Sequence, residues 1–116
     1  MELNQNVLNQ FCFYLKTIMY KSIVQNIKLE HCTDDEGDYI NLLFIRIKKK
    51  LRNKGYGSAV ISEIIQLADQ YNVRIKLWIT DVYGSDLIRL SEFYKKHDMI
   101  LIKNNNMIYF PKTVTK

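Results

Sequence analysis

A chain of 116 residues, 47% apolar and 25% charged, has the size and make-up of one folded domain, which excludes a disordered or low-complexity polymer. Its net charge of +5 points to an anionic partner, but the sign alone does not choose among nucleic acid, an acidic membrane surface and a phosphorylated cofactor. No apolar run reaches membrane-spanning length and the start Met-Glu-Leu-Asn lacks a secretory signal's basic segment and apolar core, so the expected location is the cytoplasm, with Cys12 and Cys32 as reduced thiols outside any metal-ligand spacing.

Between Leu3 and Tyr20, apolar residues at Leu3, Val7, Leu8, Phe11, Leu15, Ile18 and Met19 recur at the spacing of a one-sided helix. Ile27 and Leu29 then alternate with Lys28 and Glu30, which predicts a half-buried strand over 23–32. The acidic segment 33–38 reads as a hairpin turn that could draw a cationic amine. Tyr39 to Ile47 is nearly all apolar, as a central strand buried on both faces would be.

Next comes the stretch Lys50-Leu-Arg-Asn-Lys-Gly-Tyr-Gly-Ser58. Gly55 and Gly57 let the backbone turn tightly, and the helical stripe Val60, Ile61, Ile64, Ile65, Ala68 begins directly after it. A helix start leaves N–H groups unpaired and carries partial positive charge, so phosphate is the expected ligand, with Arg46, Lys48, Lys49, Lys50, Arg52 and Lys54 adding formal charge. The stretch is not a Walker loop, for no Gly-Lys-Ser/Thr occurs, and Val60 stands where a dinucleotide fingerprint needs a small residue.

Asn72 is placed to end that helix in a left-handed conformation. Val73, Ile75, Leu77 and Ile79 alternate with Arg74, Lys76, Trp78 and Thr80, a strand expected to run parallel to the previous one across the helical connection. Ser85 is the expected cap of a further helix, with Asp86 in its first turn and Leu87, Leu90, Phe93 and Tyr94 on one side. Segments 99–103 and 107–110 flank Asn104-Asn105-Asn106 and read as a closing hairpin.

Strand, Arg52-Asn53-Lys54-Gly55-Tyr56-Gly57, amphipathic helix, strand, and a helix carrying Phe93-Tyr94-Lys95-Lys96 together resemble the GNAT N-acetyltransferase superfamily over roughly 39–111. The resemblance implies an α/β fold over 1–116 as a single domain, with a central mixed sheet flanked by helices and splayed open beside the loop. It implies acetyl-CoA as cofactor, its pyrophosphate on the N–H groups of Asn53, Lys54, Gly55, Tyr56, Gly57 and Ser58 beside Arg52, and its pantetheine arm along Ile45 and Ile47. The implied reaction is direct acetyl transfer to a primary amine of a protein or small molecule in a ternary complex. Tyr94, a phenol near its ordinary pKa, is the implied proton donor to the departing thiolate.

The sequence departs from that pattern at two places. Asn41 stands where some members carry a basic glutamate, and Leu87 where an asparagine is frequent, leaving Glu30, His31 and Tyr39 as alternative bases or water-holders. The family's N-terminal part is shortened to one helix, so the acceptor side is either open or completed by a second subunit in a homodimer. Two other functions compete: a coenzyme-binding module without catalysis and, less favoured, a basic nucleic-acid-binding domain using 48–54 with Trp78 for stacking.

Overall fold

A computed structural model describes residues 2–51, 54–80 and 86–112. Asn4 is extended and its side-chain oxygen accepts from Val7 N–H at 3.0 Å, which starts helix α1 (Gln5–Phe13). The helix widens into a π-helical turn at Tyr14–Met19. There the expected stripe fails: Leu3, Leu8 and Leu15 are buried but Ile18 and Met19 are exposed, because the wider turn rotates later side chains off a 3.6-residue period.

Strands β1 (Val24–Asp34) and β2 (Gly37–Ile47) form the expected antiparallel hairpin, turning at Gly37 with φ +113°. The outer edge of β1 is covered by Gln5, whose amide accepts from His31 N–H at 2.8 Å and donates to the Leu29 carbonyl at 3.1 Å. Helix α2 (Tyr56–Tyr71) ends as expected at left-handed Asn72, φ 54°. It leads into β3 (Arg74–Trp78), parallel to β2.

Helix α3 (Leu87–Lys95) corrects one expectation: Asp86 is its N-cap, accepting from Ile88 N–H at 2.8 Å. Ser85 lies outside the described residues. Strands β4 (Ile100–Leu101) and β5 (Asn106–Tyr109) close on Asn104 and Asn105, both near φ 60°, as a two-residue hairpin turn of that hand requires.

The sheet runs β1-β2-β3-β5-β4, mixed and five-stranded, so the expected α/β class stands. Across it, the rows Leu29, Leu42, Leu77, Met107 and Ile40, Ile75, Tyr109 point to one face and join buried residues of α1 and α2 in a single core, with Leu90, Phe93 and Tyr94 of α3 packed on it. The opposite face carries Glu30, Asn41, Lys76 and Trp78.

Two readings of the strands need correction. β2 lies second rather than central, and only Ile40 and Leu42 of it are buried. Arg74, expected toward solvent, is 7% exposed; its guanidinium binds both carboxylate oxygens of Asp34 and the Gly37 carbonyl, and sits over the Tyr39 ring. A buried guanidinium needs such a full set of acceptors to offset its lost hydration.

Candidate functional site

β2 is held by β3 only from Tyr39↔Arg74 to Leu42↔Leu77. On the β1 side, Leu29 faces Leu42 and Lys28 faces Phe44, so Leu43 is an extra residue in β2. Such a bulge bends its strand and increases its twist. The remainder of β2 swings away from β3 and leaves a cleft of about 260 Å³. Leu43 to Ile47 form one wall, Trp78, Ile79 and Thr80 the other, and Leu90 and Tyr94 come from α3.

The splay explains why this apolar stretch is not buried on both faces. Ile45 and Ile47, the strand residues expected at a ligand arm, are partly buried and line the cleft, and Tyr94 lines it too. The sequence reading missed Leu43, Phe44, Ile79, Thr80 and Leu90, which join them once the strands part. Nothing in the alternation of β3 marks where that parting falls.

Burial alone raises the Tyr94 phenol to about 12, well above the near-ordinary value expected. Apolar surroundings disfavour phenolate, so the hydroxyl keeps its proton throughout the neutral range.

Past β2 the chain makes a short 3₁₀ turn, Lys49–Leu51, with Lys48, Lys49 and Lys50 exposed. Arg52 and Asn53 lie outside the described residues. Lys54 is exposed, and Gly55 caps α2 in the left-handed region at φ 85°, where an L side chain is strained. Helical bonding begins with Ala59 N–H to the Gly55 carbonyl, so the amides of Tyr56, Gly57 and Ser58 form the orphan first turn, with no side-chain cap on Gly55.

Helix α3 packs against the first turn of α2, where a Cβ added at Gly57 would make ordinary contact with Phe93 Cζ at 3.5 Å. One residue on, Ser58 Oγ lies 2.8 Å from His97 Nε2. His97 was not singled out in the sequence, since it sits 39 residues from its partner; burial lowers its pKa, which favours the neutral ring.

The alternative bases separate. His31 shares the core-facing side with Ile40, its Nε2 3.2 Å from Asp38 Oδ1 without an aligned hydrogen bond. Tyr39 lies beneath Arg74 and Lys76. Glu30 pairs across the strands with Asn41, one row from the start of the cleft, on the sheet face away from the helices.

The acidic turn lies at the wrong end of β2 to steer a ligand. At about 3.3 Å per residue, Asp38 is ~17 Å from Leu43. Asp34 is also engaged by Arg74 and Lys76, which hold its carboxyl far below the usual range. Among the described residues no group of three or more His, Cys, Asp and Glu side chains is placed to hold a metal ion, and no helix is long and apolar enough to cross a membrane.

No family model matches the sequence, and no curated protein does either. Solved structures do match. Ard1 from Thermoplasma volcanium is similar with a TM-score of 0.52 at 19% identity, over 74% of this chain and 63% of that one. The AtaT toxin, solved as its Y144F mutant with the C-terminus of the antitoxin AtaR and acetyl-CoA, gives 0.50 at 11%, over 72% and 55%. The N-acetyltransferase YlbP of Bacillus subtilis, in complex with coenzyme A, gives 0.56 at 14%, over 96% and 93%. The chain thus spans less than two thirds of the first two proteins and nearly all of the third. At such identities the likeness speaks for architecture: this chain has the GNAT acetyltransferase fold.

Proposed function

We propose that the protein, acting as one domain over residues 1–116, is an acyl-coenzyme-A-dependent N-acyltransferase that acetylates a primary amine. The observation that carries this is the cleft between β2 and β3, with a tyrosine from α3 on its wall and α3 packed against an uncapped glycine helix start. Two of the similar structures hold acetyl-CoA or coenzyme A.

The residues present suit that ligand. The first-turn amides of α2 and its dipole favour a pyrophosphate, a Cβ added at Gly55 would meet nothing within 4 Å, and exposed Lys48, Lys49, Lys50 and Lys54 supply charge beside Arg52 and Asn53. Ile45 and Ile47 would flank the pantetheine arm. Acetyl-coenzyme A, when bound, supplies an acyl group activated as a thioester. Tyr94, on the cleft wall, would donate a hydrogen bond to the thioester sulfur. The amine would approach from the sheet face bearing Asn41 and Trp78, where an amide cannot act as base.

The test is a calorimetric titration with acetyl-CoA, followed by thiol release over a panel of peptide and small amines. Micromolar binding and amine-dependent thiol release are expected. No binding would sink the assignment, and binding with no transfer to any amine would leave a coenzyme-binding module.

A further inference from the structure

The end of α3 is tied to the start of α2 at two points. Ser58 Oγ lies 2.8 Å from His97 Nε2; with the ring neutral and its proton on Nδ1, the serine hydroxyl donates to it. Beside this bond, Phe93 packs against Gly57, and its ring meets Tyr94 and His97 edge-on, centroids 5.1 and 5.3 Å away. His97 N–H also donates to the Tyr94 carbonyl at 3.0 Å, so the ring bonded to α2 belongs to the turn that carries the cleft tyrosine. His97 is not among the residues that line the cleft.

We propose that His97 is a positioning residue: through Ser58 it fixes the tyrosine turn of α3 against the first turn of α2, so that an anion seated on α2 is felt at Tyr94. The inference rests on the coenzyme reading above. A nine-residue helix is marginal alone and takes its place from its contacts. The span from pyrophosphate to thioester is set by the covalent length of the ligand. The hydroxyl of Tyr94 therefore meets the sulfur only if α3 holds its height relative to α2, and a misplacement of about 1 Å costs on the order of 10² in rate. Phe93 packs beside Gly57, and the Ser58–His97 bond fixes the register of α3 against α2.

The experiment compares the wild-type chain with His97→Leu, His97→Gln and Ser58→Ala. Gln keeps a polar atom within reach of Ser58, and Ser58→Ala breaks the same bond from the α2 side should His97→Leu fail to fold. Adenosine diphosphate is the probe, because it carries the pyrophosphate but lacks the arm that would touch Tyr94. In wild type and His97→Gln, saturating probe should slow amide exchange in both 56–59 and 94–97. In His97→Leu and Ser58→Ala it should slow 56–59 only, with kcat at least tenfold lower, KM for acetyl-CoA within threefold of wild type, and kcat restored to within threefold by Gln. Protection confined to 56–59 in the wild type, or kcat within twofold of wild type in His97→Leu, overturns the proposal. No protection at 56–59 removes the phosphate seat itself, and the proposal with it.

Discussion

Replacing Tyr94 with Phe deletes one hydroxyl from the cleft and keeps the ring that packs edge-on against Phe93. The structure fixes the size of the expected loss. Burial raises the phenol to about 12, whereas an ordinary thiol lies near ~8.5, so complete proton transfer from Tyr94 to a thiolate would be uphill by roughly 5 kcal/mol. Tyr94 should therefore act as a hydrogen-bond donor that keeps its proton, and removing one preorganised donor costs ~10²–10³-fold in kcat. Continuous detection of released thiol, on whichever amine serves as acceptor, should show that fall, with acetyl-CoA affinity and melting temperature near wild type. The wild-type rate should show no tyrosine ionisation below about pH 10, since the raised phenol remains protonated there. Activity within twofold of wild type would make Tyr94 a packing residue. A loss near 10⁴-fold would mean full proton transfer and refute the argument from burial.

Asp98 adopts φ 65° without being glycine, and its pair with Lys112 is exposed and adds little, so Asp98→Gly should raise stability by about 1 kcal/mol in urea titration. Asp34 is held far below the usual carboxylate range by Arg74 and Lys76; a depressed carboxylate contributes stability that is present above its unfolded pKa and fades as pH falls through its folded one. Asp34→Asn should therefore melt lower than wild type at pH 7 and lose less stability on acidification below about pH 4. Equal acid sensitivity in the two proteins would show that Asp34 is not what gives the hairpin its acid response.

What was legible in the sequence was what is locally determined. Asn72, Asn104 and Asn105 take the positive φ that short polar side chains tolerate, and the strand–loop–helix–strand unit followed from a continuous apolar run, the glycine pair, a 3.6-residue stripe and an alternating run in succession. What escaped depended on distant partners. Arg74 alternates like a solvent residue and is buried only because Asp34, 40 residues earlier, folds over it. The Ser58–His97 bond spans 39 residues and leaves no periodic trace. The π-helical turn after Phe13 defeats a stripe that assumes a constant 3.6 residues per turn.

The misread half of β2 is also the most informative. Leu43 to Ile47 carry the composition of a strand covered on both faces, yet Leu43 is exposed and the next four residues are only partly buried. Pairing with β3 through this stretch would have covered much of them and continued the ladder, so parting at Leu42 forgoes local stability. The bulge at Leu43 sets where the strands part, and the side chains left behind face a cleft rather than open solvent. Under the proposed function that apolar surface is covered in the liganded state, and the composition of β2 then answers to the complex rather than to the free fold. Binding of acetyl-CoA should accordingly lower the heat capacity of the system, as burial of apolar surface does, and a titration repeated at several temperatures measures it. A heat-capacity change near zero would mean that the walls of the cleft stay exposed and that their apolar character answers to something other than the coenzyme.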